Sequence, residues 1–177
     1  MLHSANENDH SGFAINLRRP TLSDGAGLWH LTRDTGVLDV NSSYQYLLWC
    51  RDFAETSVVG VTEEQQLMGF VTGFLRPDEP TTLMVWQVAV DRAARGRGLA
   101  SRMLDYLVET TGVKHLETTV TDDNAASQQL AQNVTSLFTP EMYPDEHETE
   151  YLHRIGPLVP ELVRQRRRKT PQLTVVN

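Results

Sequence analysis

The sequence of 177 residues has a single cysteine, Cys50, and little positive charge, with a formal net charge of −7 at pH 7. One cysteine excludes an intramolecular disulfide and favours a reducing compartment. The acidic balance argues against a nucleic-acid-binding protein, which needs a basic face. No apolar run reaches about 18 residues, so no membrane-spanning helix is predicted. A basic, hydrophobic leader is also missing, and we therefore expect a cytoplasmic protein.

The length is typical of one domain with a sizeable core. We expect a flexible leader at 1–12, one domain at 13–157 and a basic tail at 158–177, whose run Arg164–Lys169 is a solvated chain end. Periodicity predicts the order strand, helix, helix, three strands, helix, strand, helix, strand. The predicted strands are Phe13–Arg18, Ser57–Thr62, Leu67–Leu75, Leu83–Val90, His115–Thr121 and Tyr151–Ile155, and Asp122–Gln132 is the last predicted helix. Pro77–Pro80 and the acidic stretch Glu141–Glu150 are predicted loops.

The most informative stretch is the turn Arg95-Gly96-Arg97-Gly98, which joins the predicted strand Leu83–Val90 to an amphipathic helix. Glycine lets the backbone approach a ligand, and the first N–H groups of a helix attract anions. The two arginines add donors suited to phosphate. The spacing fits neither a Walker loop nor a dinucleotide fingerprint, since Ser101 stands where the last glycine belongs. From these residues alone, an anion site and a plain surface turn are about equally supported.

A second stretch, residues 36–53, combines a predicted loop with a helix that Asn41, Ser42 or Ser43 can cap. Asp39 and Asn41 lie in the loop, where functional polar groups are common, but spacing alone favours simple turn and cap residues. The aromatic residues of the helix are more typical of a core than of a site; they are Tyr44, Tyr46, Trp49 and Phe53.

The turn and its setting resemble the acetyl-CoA signature of the GCN5-related N-acetyltransferases, Arg/Gln-x-x-Gly-x-Gly/Ala, here filled by Arg95, Gly98 and Ala100. The resemblance implies the α/β fold of that family, a single domain with a mixed central sheet flanked by helices. It also implies acetyl-CoA as co-substrate and no metal. The cofactor-binding residues that it implies are Gln87, Val88, Val90, Arg95, Gly96, Arg97, Gly98, Leu99, Ala100, Asn124 and Ser127.

Longer collinear motifs at 35–53, 68–77, 85–91, 119–127 and 147–157 resemble the L-2,4-diaminobutyrate N-acetyltransferases of ectoine synthesis. This closer resemblance implies acetyl transfer to the 4-amino group of L-2,4-diaminobutyrate by direct attack in a ternary complex. It implies a homodimer, with no nucleic-acid or membrane partner. Two alternatives stay open: an acetyltransferase for another small polyamine or amino acid, and a non-catalytic acetyl-CoA-binding module.

The implied substrate carries two amines and one carboxylate, so its site needs acidic side chains for the ammonium groups. We assign Asp39, Tyr44 and Trp86 to catalysis, and the substrate-binding residues are Asp39, Asn41, Tyr44, Cys50, Trp86 and one of Glu148 and Glu150. The alternative for the two glutamates is a solvated acidic loop.

The chain departs from the family pattern in two places. Many members carry a tyrosine seven residues after the position of Asn124 as the acid for the leaving thiolate, and here that position is Ala131. Tyr44, Cys50 and Tyr151 are the remaining candidates, and the general base is left open. The segment 130–136 is also shorter than the family pattern, which bears on the rim of the site.

Overall fold

The computed structural model describes residues 14–121, 125, 138–144 and 149–158, of which 121, 138–144 and 149–151 are described by their backbone alone. The described strands are β1 Asn16–Arg18, β2 Val58–Val61, β3 Leu67–Arg76, β4 Glu79–Val90, β5 His115–Thr121, β6 Phe138–Pro144 and β7 Thr149–Ile155. The described helices are α1 Gly25–Thr35, α2 Ser43–Asp52 and α3 Leu99–Thr111. The strands form one sheet in the order β1-β2-β3-β4-β5-β7-β6, antiparallel except for the parallel pair β4–β5. The fold is therefore a mixed sheet flanked by helices, as predicted.

Alternation along the strands divides the core between the two faces of the sheet. Val58 faces α3, whereas its neighbour Val59 faces α1 and α2. Helix α3 contributes a stripe at helical spacing to the first cluster: Leu99, Met103, Leu104, Leu107 and Val108. Helices α1 and α2 contribute Leu28, Leu31, Tyr46 and Cys50 to the second. Among the described helices, none is long and apolar enough to cross a membrane.

Two paired glycines bring the start of α3 close to the sheet. Gly60 on β2 lies opposite Gly69 on β3, and Leu99 packs over both. A Cβ atom at Gly69 would lie 3.1 Å from Leu99 Cδ2 and 3.0 Å from the carbonyl oxygen of Ala89, so a larger residue would push the helix away. The N-terminus of α3 is thereby fixed beside the end of β4.

The predicted order of elements is confirmed from β1 to β5, but two predicted loops need correction. Glu79 and Pro80 begin β4, so the predicted loop Pro77–Pro80 is reduced to a turn at residues 77–78. Residues 141–144 belong to strand β6 and 149–150 to β7, so the predicted loop Glu141–Glu150 is wrong in those parts. Two prolines, Pro140 and Pro144, and the acid Glu141 conceal the strand pattern of β6. An edge strand tolerates proline because only one of its sides must donate hydrogen bonds, and β6 pairs with β7 alone in the described chain. The predicted helix Asp122–Gln132, the leader and the tail lie outside the described residues, apart from helical Ala125.

Candidate active site

Strand β4 separates from strand β5, its parallel neighbour in the middle of the sheet. It pairs with β5 only at Thr82–Val85, opposite His115–Thr118, whereas its pairing with β3 continues to Val90. The N–H and C=O groups along one edge of β4 beyond Val85 therefore lack a ladder with β5 in the described chain. Such an edge can bind an extended amide-containing ligand in the way that a further strand would pair.

A β-bulge lies where the separation begins. Gln87 pairs with Thr72 and Val85 pairs with Gly73, so Trp86 is an extra residue on β4. The extra residue breaks the alternation of side chains, and Trp86 and Gln87 both face helix α2. Trp86 lies 6.1 Å from the ring of Trp49, and the Gln87 amide accepts a hydrogen bond from the Tyr46 hydroxyl at 3.1 Å. Val88 and Val90 return to the α3 face.

The turn after β4 has the geometry of an anion site. Gly96 and Gly98 have φ values of +73° and +69°, the left-handed region that favours glycine. Gly98 is the N-cap of α3, makes no side-chain capping hydrogen bond, and is followed by a first turn without acidic residues. The first N–H groups of α3 and the positive end of its dipole are thus available to an anionic ligand.

The side chains around this turn support the same conclusion. Arg95, Gly96, Arg97 and Gly98 are exposed, and Arg95 Nε donates to the carbonyl oxygen of Val90 at 3.0 Å, which ties the turn to the end of β4. Leu99 is buried under the sheet and anchors the helix, whereas Ala100 is half-buried. The predicted anion-binding turn therefore lies directly beyond the open edge of β4.

An aromatic cleft of about 750 Å³ lies beside Trp86 on the α2 face of the sheet. Trp49 is its central ring, with centroids 4.8 Å from Phe53, 6.5 Å from Phe74 and 6.1 Å from Trp86. The other lining residues are Ser42, Tyr44, Gln45, Leu48, Asp52, Glu55, Thr56, Leu75 and Pro77. Trp86 is 46% exposed and Tyr44 60%, so both present their rings to a ligand. The sequence predicts core positions for the aromatic residues of α2, and this is confirmed for Tyr46 and Trp49, which are buried, but not for the exposed Tyr44 and Phe53. That Trp49 and Phe53 also line the cleft follows only from their proximity to Trp86.

Two acids at the edge of the cleft are ion-paired. Asp52 accepts from Arg51 at 2.8 Å, which holds the pKa of Asp52 below its ordinary value, and Glu55 lies 2.6 Å from Arg19. Neither was predicted as a site residue. The paired arginines offset much of the charge that these two carboxylates bring to the rim of the cleft.

The loop between α1 and α2 brings Asp39 next to β4. Gln87 Nε2 donates to the backbone carbonyl oxygen of Asp39 at 2.8 Å, while the Asp39 side chain is exposed. Asn41 is half-buried just before the N-cap Ser42. Of the predicted substrate residues, Tyr44 and Trp86 line the cleft, whereas Asp39 and Asn41 are not among its lining residues. The Gln87 hydrogen bond nevertheless holds the Asp39 backbone next to the residue that follows Trp86.

Cys50, which the sequence analysis assigns to substrate binding, lies outside the cleft. Its side chain is buried in the core cluster with Leu28 and Tyr46 and is not among the residues that line the cleft. Burial raises the pKa of the thiol to about 12, the nearby Asp24 carboxylate adding to the effect. The thiol therefore stays protonated, and its position gives it no route to a ligand in the cleft.

The remaining predicted residues are only partly described. Asn124, Ser127, Ala131 and Glu148 lie outside the described residues, as does the segment 130–136. The backbone of Glu150 pairs with Thr121, and that of Tyr151 with Val120. Within the described ranges, no group of three or more His, Cys, Asp or Glu side chains has the arrangement of a metal site.

The chain is similar to known acetyltransferases over most of its length. The acetyltransferase (GNAT) family matches residues 27–134. The L-2,4-diaminobutyric acid acetyltransferases of Streptomyces coelicolor and Streptomyces anulatus are 48% and 47% identical to it, each over 81% of this chain and over 94% and 90% of their own lengths.

Solved structures show the same relationship. The diaminobutyrate acetyltransferase EctA from Paenibacillus lautus, in complex with L-2,4-diaminobutyric acid and coenzyme A, aligns with a TM-score of 0.72 at 37% identity, covering 82% of this chain and 96% of that one. Ard1 from Thermoplasma volcanium, with a TM-score of 0.70 at 18% identity, shares the fold. The chain is an acyltransferase that belongs to the acetyltransferase (GNAT) family, in the branch of the L-2,4-diaminobutyric acid acetyltransferases.

Proposed function

We propose that this protein transfers the acetyl group of acetyl-CoA to the 4-amino group of L-2,4-diaminobutyrate, as a cytoplasmic step of ectoine synthesis. The observation that carries the proposal is the position of Trp86, where the aromatic cleft meets the open edge of β4 that leads to the glycine turn. A ligand on that edge and a ligand in the cleft would meet at this residue. The relatives' substrates supply the identities of the two ligands.

Acetyl-CoA fits the β4 edge and the turn. The pyrophosphate would lie against the N–H groups at the start of α3, with Arg95, Gly96, Arg97 and Gly98 around it and Leu99 and Ala100 supplying the first helical amides. The backbone of Gln87, Val88 and Val90 would pair with the amides of the pantetheine arm. Asn124 and Ser127 keep their predicted part in this site. When bound, acetyl-CoA supplies the acetyl thioester.

The cleft suits a small diamine. The aromatic rings of the cleft attract the ammonium group that stays charged by cation–π interaction, whereas removal from water lowers the pKa of the reacting 4-amine. A free alkylamine costs about 4–5 kcal/mol to deprotonate at neutral pH, so this desolvation favours the nucleophilic form. Asp39, with Asn41 and one of Glu148 and Glu150, would bind the polar groups of the substrate.

The reaction forms one N–C bond and breaks one C–S bond. The amine loses a proton to a base or a water path, and the departing thiolate gains one. Tyr44 is our choice for the thiolate acid, because it is exposed at the cleft, whereas the Cys50 thiol is enclosed in the core. Backbone N–H groups of β4 near Val88 would polarise the thioester carbonyl.

The test is acetyl-CoA turnover, detected as free thiol, with L-2,4-diaminobutyrate beside ornithine, lysine and spermidine, and NMR of the product. We expect turnover on diaminobutyrate far above that on the other amines, with the acetyl group on N4. Similar rates on several amines would instead favour an acetyltransferase of broader specificity. Acetyl-CoA binding without turnover would favour a non-catalytic module.

A prediction for the glycine turn concerns Gly98→Ala. A left-handed conformation costs a non-glycine residue about 1–2 kcal/mol, and at Gly98 no described atom lies within 4 Å of an added Cβ, so this strain is the main effect. We expect the turn to relax away from its binding shape and the KM for acetyl-CoA to rise roughly tenfold, in steady-state kinetics with diaminobutyrate saturating.

Gly112→Ala is the matched control. Gly112 caps the other end of α3 with φ +70° and has equally open surroundings among the described residues. The Gly112→Ala variant should lose as much stability as Gly98→Ala, but its KM for acetyl-CoA should be unchanged. An equal rise of this KM in both variants would contradict a role of the turn in binding.

We also propose a homodimer. The resemblance of the collinear motifs to the L-2,4-diaminobutyrate N-acetyltransferases supports this oligomeric state. For the domain boundaries we propose 1–12, 13–157 and 158–177, as the sequence predicts.

A further inference from the structure

A buried chain of hydrogen bonds connects helix α2, strand β4 and the loop between α1 and α2. The Tyr46 hydroxyl donates to Gln87 Oε1 at 3.1 Å, and Gln87 Nε2 donates to the Asp39 carbonyl oxygen at 2.8 Å. Tyr46 is 0% exposed and Gln87 8%, so water competes little for either bond. These two hydrogen bonds can form because the bulge at Trp86 turns the Gln87 side chain towards α2.

The direction of the two bonds is fixed by chemistry. A backbone carbonyl can only accept, so the NH₂ end of the Gln87 amide must face Asp39. The amide oxygen then faces Tyr46, whose hydroxyl must donate. A glutamate at position 87 could still accept from Tyr46 but would place an acceptor against the Asp39 carbonyl.

The loop between α1 and α2 makes few other contacts with the rest of the described structure. It runs from the C-cap Gly36 to the N-cap Ser42, and Val37 and Val40 are exposed. In the described structure, Leu38 packs against the core cluster of α1 and α2, and the Asp39 carbonyl is held by Gln87. Loss of the Gln87 bond would leave Leu38 as the main anchor near Asp39.

We propose that Gln87 and Tyr46 are positioning residues for the amine substrate: they hold the loop so that the Asp39 carboxylate stands beside the Trp86 end of the cleft. The inference rests on the proposed function, since it assigns Asp39 to substrate binding. Because Gln87 follows Trp86 directly, the same bulge orients the ring at the reacting centre and the anchor of the substrate loop. Mispositioning of the loop should therefore weaken amine binding and leave acetyl-CoA binding on the β4 edge intact.

The experiment uses Tyr46→Phe, which keeps the ring against Phe70 and removes the donor. We expect the KM for diaminobutyrate to rise roughly fivefold, the worth of one net hydrogen bond, with the KM for acetyl-CoA within twofold of wild type. Gln87→Glu should raise the KM for diaminobutyrate further. The control is Tyr106→Phe, which removes a hydroxyl from a half-buried tyrosine on α3, against the opposite core cluster, and should change neither KM.

A second readout does not depend on turnover. Backbone order parameters from ¹⁵N relaxation should fall at residues 37–41 in Tyr46→Phe, towards the flexible range below about 0.6, and stay unchanged in α3. An unchanged KM for diaminobutyrate or an unchanged loop order would overturn the proposal. Equal rises of both Michaelis constants would overturn it too, since they indicate a general loss of structure. If the wild-type protein fails to acetylate diaminobutyrate, the proposed function fails, and the order parameters alone decide whether Tyr46 and Gln87 hold the loop.

Discussion

Glu117→Ala is expected to lower the free energy of unfolding by about 3 kcal/mol, because it leaves two arginines without their shared carboxylate. The Glu117 side chain is 4% exposed. It accepts from Arg76 at 2.8 Å and from Arg154 at 2.7 Å, one bond to each carboxylate oxygen. Arg154 also contacts Glu79, so the four charges form one network. Each arginine side chain is more than a third exposed and can recover part of its hydration. The expected loss in free energy of unfolding is therefore at the lower end of the range for a broken buried ion pair.

The network lies where the sheet needs reinforcement. Glu117 is paired with Met84 on β4 and with Arg154 on β7, within the short parallel segment that precedes the separation of β4 from β5. Arg76 is the last residue of β3 and Glu79 is the first residue of β4, so the network also includes these two strands. The ionic contacts therefore join four strands at the base of the opening that receives acetyl-CoA in our proposal.

Urea unfolding of Glu117→Ala, followed by far-UV circular dichroism, measures the loss. Glu79→Ala is the comparison, since the Glu79 side chain is 41% exposed and an exposed pair contributes about 0–1 kcal/mol. A loss for Glu117→Ala no larger than for Glu79→Ala would show that the buried carboxylate does not hold the strands together.

The glycine turn could be read from the sequence because its signal is local. The left-handed conformation of Gly98 and the start of α3 both depend on residues that are neighbours in the sequence. Helix α3 and its C-cap Gly112 were predictable for the same reason. The same holds for strand His115–Thr121, which is found with the predicted bounds.

The aromatic cleft could not be read in this way, because it depends on contacts between distant residues. Trp49 belongs to α2, Phe74 to β3 and Trp86 to β4, and nothing in their spacing predicts that their rings meet. Strict alternation along β4 would also place Trp86 and Gln87 on opposite faces. The bulge that puts them on one face follows from the register with β3, which a single sequence does not reveal.

Asp39→Asn is expected to lower kcat/KM for diaminobutyrate by about 10- to 100-fold. A hydrogen bond to a charged group contributes about 1.5–3 kcal/mol, and each 1.4 kcal/mol is a factor of ten. The substitution keeps the shape of the side chain and leaves the Asp39 carbonyl free to accept from Gln87, so the loop keeps its anchor. The effect therefore isolates the charge that would pair with a substrate ammonium group.

The matched control is Asp34→Asn, which removes the same unit of charge from an exposed acid near the end of α1, beside Arg33. Steady-state kinetics at two ionic strengths separate the two effects, because long-range attraction of a cationic substrate is screened by salt, whereas a direct contact is screened much less. We expect Asp34→Asn to stay within twofold of wild type at both ionic strengths and Asp39→Asn to keep its deficit. Equal losses in the two variants, disappearing at high salt, would mean that Asp39 acts only through the overall negative charge of the protein. The substrate ammonium would then have to be bound by the aromatic rings and by acids on other elements.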